Sequence, residues 1–252
     1  MTVNLNKAES ALKVVLEKKA SGTLPIVPIT TVIDCSGSMN HHYINGNIQH
    51  VLEQLLVVAL KLDDDGQLPV VLFSNDSILL KENLNTTNIE NYLRTQIQNL
   101  FLPIQRHLWC GTQYLPAMKT IVSLNLISSS KNPILGKIVQ LCYRIPILST
   151  IAKFLMGFLN KNDSLKPSVC FFITDGEPQE NWKDIKQFAQ TCPKNNFWVF
   201  ICIDGTGANC YSQLHKFNNV DVVELESFVN DNEVLYDKII TQKMLSWIQQ
   251  FN

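Results

Sequence analysis

Residues 30–40 read TTVIDCSGSMN. An apolar, β-branched run stops at Asp34, and Ser36 and Ser38 follow at alternate positions. The three side chains offer one carboxylate and two hydroxyls, hard oxygen donors that together could hold a divalent cation. Two further segments supply the same chemistry. In FFITDGEP, Asp175 ends another apolar run, and in CGTQ, Thr112 sits in a glycine-containing loop ahead of a helical stretch. Two carboxylates and three hydroxyls thus come from three separated loops. Magnesium asks for near-octahedral oxygen ligands and usually keeps waters. Because hydroxyls are weak donors, an ion held this way stays electrophilic and seeks one more anionic oxygen from outside. Gly37 is expected to free the backbone for the turn that brings 34, 36 and 38 inward. Taken singly, an aspartate or serine after a strand is an ordinary helix cap or turn residue. It is the conjunction that favours an ion.

Such donors need a scaffold that brings strand ends together. IVPITTVI, LPVVLFS, PSVCFFIT and NFWVFICI are apolar almost throughout, as expected of strands covered on both faces. VDVVELE is a further strand, and 77–84 is a short edge strand. Between them, NIQHVLEQLLVVALKL places Ile48, Leu52, Leu55, Leu56, Ala59 and Leu62 on one helical face. NIENYLRTQIQNL is helical with Asn88 as its N-cap, and TQYLPAMKTIVSL is helical with a bend at Pro116. WKDIKQFAQTC and CYSQLHKF are helices. The C-terminal stretch EVLYDKIITQKMLSWIQQFN reads as one helix with the stripe Tyr236, Ile240, Met244, Trp247 and Phe251. Alternating strands and helices imply right-handed crossovers, hence an α/β fold with a doubly wound, mostly parallel sheet and helices on both faces. In such sheets ligands bind beyond the carboxyl ends of the strands, at the switch point. Asp34, Thr112 and Asp175 all fall there. The expected organisation is an N-terminal helix within 1–21 and one domain over 22–252, interrupted by an insertion at 125–166.

DCSGSM resembles the D-x-S-x-S signature of the von Willebrand factor A domain, whose fold is Rossmann-like. In that family the signature belongs to the metal-ion-dependent adhesion site. The resemblance carries the family's threonine onto Thr112 and its later aspartate onto Asp175. The stretches YINGNIQHVLEQLLVVALKLDDDGQLPVVLFS, CGTQYLPAMKTIV, FFITDGEPQEN and VLYDKIITQKMLSWI are further similar to TerF-type domains of bacterial tellurium-resistance and stress-response clusters. Cys110 stands where that family carries a small residue, which leaves the ligand set intact. The resemblance implies a metal site at Asp34, Ser36, Ser38, Thr112 and Asp175, with magnesium as the ion and manganese or calcium as substitutes. It implies an adaptor rather than an enzyme, whose partner is another protein that supplies an acidic ligand to the metal.

Other chemistries fit less well. A haloacid-dehalogenase-type phosphotransferase needs D-x-D, and the second position here is Ser36. A serine hydrolase elbow, G-x-S-x-G, needs glycine at 34 or 36. KLDDDGQLPVVL fails as an EF-hand, because Leu72 stands at the twelfth position. A metal-dependent hydrolase or phosphoesterase remains the alternative, since bound ions activate water. His41 and His42 lie close to the first loop but are expected to be solvated. Trp109, Glu177 and Asp204 are candidates for a partner-binding rim. Trp109 is the strongest of these, because large aromatics anchor interfaces.

Composition limits the partners. The net charge is −1 over 252 residues, so no global field recruits nucleic acid or an anionic membrane. Seven scattered cysteines, several within apolar runs, suit free thiols in a reducing compartment. MTVNLNKAES has no apolar core of a secretion signal, and a cytoplasmic location is expected. The 125–166 segment carries six Lys/Arg and one Asp. Its two apolar faces, split at Pro146, predict a helical hairpin over about 133–143 and 147–159. The stretch 131–160 would then pack on the domain or offer a peripheral contact to a membrane or a partner.

Overall fold

A computed structural model describes residues 4–98, 109–129, 166–191, 194–204, 207–225 and 231–251. The hairpin expected within 131–160 lies outside the described residues.

The chain opens with helix α1 (Leu5–Lys19), capped by Asn4. Strand β1 (Ile29–Asp34) follows, then a short helix α2 (Asn40–Ile44) and the long α3 (Asn47–Leu62). Strands β2 (Val70–Phe73) and β3 (Ser77–Leu79) precede α4 (Tyr92–Gln98) and α5 (Tyr114–Ser129). The second half runs β4 (Ser168–Thr174), α6 (Trp182–Thr191), β5 (Asn196–Ile203), α7 (Gly207–Leu214) and β6 (Val220–Leu225). It closes with α8 (Asn232–Ile239) and α9 (Gln242–Ile248).

The six strands form one sheet in the order β3-β2-β1-β4-β5-β6. Only β3 runs antiparallel, against β2. The order reverses between β1 and β4, so the crevice of a doubly wound sheet opens at their carboxyl ends. β1, β2, β4 and β5 are buried along their full length, which is why their sequences are continuous rather than alternating. Successive side chains go to opposite faces. Phe171, Ile173, Val199 and Ile201 join Leu12, Leu52, Tyr236 and Met244 in one core. Phe172, Trp198 and Phe200 join Met118, Ile121, Ile185 and Leu214 in the other.

Several boundaries differ from expectation, each for a local reason. Asn88 does not cap α4. Its side chain accepts from Asn85 N and donates to Asn83 O, which holds a turn instead. Pro116 falls in the first turn of α5, where backbone N–H groups lack intrahelical partners, so it interrupts no helical hydrogen bond and the helix runs on past it. The same helix continues to Ser129, past the expected start of the insertion at 125. The C-terminal stretch is two helices, since Thr241 turns its hydroxyl onto Met244 N and starts α9 afresh. The apolar stripe survives the break, except that Phe251 is exposed.

Candidate functional site

Asp34 is the last residue of β1 and is wholly buried. Its Oδ1 accepts from Ser36 N at 2.7 Å and its Oδ2 from Thr174 Oγ1 at 2.7 Å. Ser36 and Ser38 hydroxyls lie 3.1 Å apart, and Ser38 Oγ donates to Asp175 Oδ1 at 2.9 Å. With the Ser38 proton committed there, the Ser36 hydroxyl can turn its proton to Ser38 or to the Asp34 carboxylate, which it also meets. A single chain of hydrogen bonds therefore joins the ends of β1 and β4. It leads from buried Ser36 out to the exposed Ser38.

Thr112 arrives from the loop before α5. Its carbonyl accepts from Gln179 N at 2.8 Å, and a Cβ on Gly176 would meet its hydroxyl at 3.3 Å. Thr112 is buried against the turn that carries Asp175. Two further contacts fix this loop. Ser74 Oγ donates to Gly111 O at 2.8 Å, and Trp109 N donates to Cys35 O at 2.7 Å. Glu180 then caps α5 from the opposite loop, its carboxylate accepting from Tyr114 N and Leu115 N at 3.0 and 2.8 Å. The three loops that carry the five predicted residues are thus tied to one another.

Gly37 does not use the expected conformational freedom, because it is absent from the glycines with a left-handed backbone. It lies beside the Trp109 carbonyl, which a Cβ would meet at 3.4 Å, an ordinary contact. The left-handed residue here is Trp109 itself, at φ 64°. A bulky side chain in that region is a true outlier and marks a constrained site. Its indole packs edge-on against Tyr43 at 5.0 Å, and Tyr43 OH donates to Asp34 O at 3.0 Å.

Burial pushes the Asp34 carboxyl up from 3.8 to about 6, against the pull of the Thr174 and Ser36 hydrogen bonds. Burial also raises Asp175, with Ser38 opposing. Two carboxylates and three hydroxyls come together where these loops meet, and among the described residues neither carboxylate has a lysine or arginine partner. This all-oxygen donor set fits a hard divalent cation.

The rim residues fall in different places. Trp109 is partly exposed and lines a groove of about 650 Å³ with Tyr43, Ile44, Glu90 and Arg94. Glu177 is exposed on the Asp175 loop. Asp204, at the end of β5, sits 3.0 Å from His42 Nε2. His42 is buried, contrary to the solvated position expected of it. Sequence reasoning also missed Thr174, whose hydroxyl is the second anchor of Asp34. Its position directly before Asp175, at the last register of β4, was the available signal. Cys35, Cys170, Cys202 and Cys210 are buried and Cys110 is exposed, and none of these five is in a disulfide. Among the described residues, no helix is long and apolar enough to cross a membrane.

The chain is similar to several known proteins. Residues 26–139 match the family model vWA-TerF-like, described as the vWA found in the TerF C terminus. Uncharacterized protein YcbR of Bacillus subtilis is 25% identical over 250 residues, which is 96% of this chain and 84% of that protein. Among solved structures, proximal thread matrix protein 1 from the mussel byssus aligns at a TM-score of 0.48 and 14% identity. That alignment covers 89% of this chain and 50% of the other. The von Willebrand factor type A protein from Catenulispora acidiphila aligns at 0.47 and 14% identity, covering 88% of this chain and 43% of the other. The chain thus spans about half the length of these structures or less. Residues 26–139 are thus similar to the von Willebrand factor A domain found in the TerF C terminus, and β4, β5 and β6 complete the sheet that this segment begins.

Proposed function

We propose that the protein is a divalent-cation-dependent protein-binding adaptor. Asp34, Ser36, Ser38, Thr112 and Asp175 would hold the ion, and magnesium is the ion these donors suit best. The observation that carries this reading is the pair Asp34 and Asp175. Two carboxylates, each raised by burial, stand at the switch point, and among the described residues no lysine or arginine is paired with either. A cation there would supply the missing positive charge and, held partly by neutral hydroxyls, would attract a carboxylate from a partner. The exposed Ser38 and the half-exposed Asp175 leave that side open. Beside it, the groove lined by Tyr43, Ile44 and Trp109 offers the partner an apolar seat, with Ile44 76% exposed. The similarity of residues 26–139 to the vWA-TerF-like model supports a binding role and a place in a bacterial tellurium-resistance or stress-response system in the cytoplasm.

The test is affinity capture from host lysate by wild type with magnesium, by wild type with chelator, and by Asp34→Asn. A partner retained only in the first arm supports the adaptor. The same preparations are assayed against phosphoester and ester substrates. Turnover that needs magnesium and disappears in Asp34→Asn would instead establish a metal-dependent hydrolase.

A further inference from the structure

His41, His42 and Asp204 each bring one ligand atom within 4.8 Å of the others. The two histidines are adjacent in α2, while Asp204 follows β5, so the cluster exists only in the folded sheet. We infer that these three residues form a second metal site, distinct from the first and suited to zinc.

The tautomer of His41 is the first reason. Its Nδ1 lies 2.8 Å from Ser38 O. A carbonyl oxygen can only accept, so Nδ1 carries a proton, and in the neutral ring Nε2 keeps a lone pair. That lone pair faces Asp204 Oδ2 at 3.9 Å. A backbone carbonyl fixing one imidazole nitrogen while the other is offered to a ligand is the usual support of a metal-binding histidine. His42 approaches the same oxygen at 3.0 Å. Its Nδ1 faces the Asn47 side-chain amide at 3.3 Å. A flip of that amide lets its oxygen accept from Nδ1–H and releases the Nε2 lone pair.

The distances form the second reason. Zinc bonds of about 2.0–2.1 Å in a tetrahedron set ligand atoms about 3.3 Å apart. The two nitrogen–oxygen separations, 3.0 and 3.9 Å, bracket that value. A structural His42–Asp204 pair alone would need no second imidazole in a fixed tautomer directed at the same oxygen. Two nitrogens and one carboxylate oxygen select zinc over magnesium, whereas the first crevice offers oxygen alone.

The third reason is the backbone. Asp204 is held at φ 56°, a left-handed position uncommon outside glycine but tolerated by Asp and Asn. Three protein ligands leave a fourth zinc position for water or an outside donor. The His41 and Asp204 side chains, 58% and 44% exposed, leave it open to solvent. Ser38 touches both sites, its hydroxyl bonded to Asp175 and its carbonyl to His41.

The full chain is titrated with zinc, and in parallel with cobalt as a visible probe of tetrahedral coordination, in excess magnesium. Wild type should bind one ion with a tetrahedral cobalt spectrum. His41→Ala and Asp204→Asn should each weaken binding at least about tenfold. Asn suits the left-handed backbone at 204, so that variant separates loss of charge from loss of fold. Asp34→Asn should bind zinc as wild type does. The inference is overturned if wild type takes up no zinc, if both site variants bind like wild type, or if Asp34→Asn or Cys110→Ser abolishes uptake.

Discussion

Replacing Asp34 by Asn should make the metal-free protein more stable at neutral pH. Burial raises the Asp34 carboxyl from 3.8 to about 6. A group raised in the folded state contributes its stability below the unfolded value and loses it as pH climbs through the folded value. Between about pH 4 and pH 7 this one residue therefore removes about 3 kcal/mol from the metal-free fold. The residue is wholly buried, so no solvent screening reduces that figure. Asn keeps the shape and drops the charge. Its carbonyl can retain the bond from Ser36 N. Its amide then faces Thr174 Oγ1, which can turn its proton to Gly176 O at 3.1 Å and accept instead. No polar atom is stranded. In chelator at pH 7, Asp34→Asn should exceed wild type by up to about 3 kcal/mol in urea unfolding, which corresponds to a melting temperature several degrees higher. Near pH 4 the two should coincide. Saturating magnesium should stabilise wild type and leave the variant unmoved. If the variant is the weaker protein in chelator at pH 7, the account of an uncompensated buried carboxylate is wrong.

Other perturbations reach neighbouring parts of the site. Magnesium affinity should fall about tenfold per pH unit below about 6, as Asp34 takes up its proton, which calorimetry across pH 5–7.5 would read. Thr174→Val removes the donor to Asp34 Oδ2, a charge-assisted bond of about 1.5–3 kcal/mol, and should weaken magnesium binding while the fold persists by circular dichroism. Glu180→Ala leaves Tyr114 N and Leu115 N without their acceptor and should cost about 1–2 kcal/mol in denaturant unfolding. Lys243→Met frees the carbonyls of His215, Phe217 and Val220 that its ammonium gathers, and should destabilise the turn into β6 by about 2 kcal/mol, read as faster amide exchange there.

The sheet was legible because its strands are buried on both faces and announce themselves as unbroken apolar runs. FFIT and FWVFICI could be little else. Asp34 and Asp175 were expected where two such runs stop and Thr112 in the loop ahead of α5, and the parallel topology brings those three loops together. What failed to show in the sequence was pairing across long separations. Nothing near His42 signals that it will be buried against Asp204, 162 residues away. Thr174 reads as the end of a strand until the register with β1 sets its hydroxyl on Asp34. Trp109 looked like a surface aromatic. Its left-handed backbone and its bond to Cys35 O make it equally a brace for the first loop. The break at Thr241 could have been read, since threonine three residues ahead of a free N–H is a good cap, but the apolar stripe continues through it and hides the interruption.

The central claim is that Asp34 and its neighbours hold one divalent cation. Calorimetric titration of the full chain with magnesium at pH 7.5, alongside Asp34→Asn shown to be folded, tests it most directly. The account predicts a single binding event in wild type and none in the variant. Equal binding by both, or no heat and no thermal stabilisation in wild type, would contradict it.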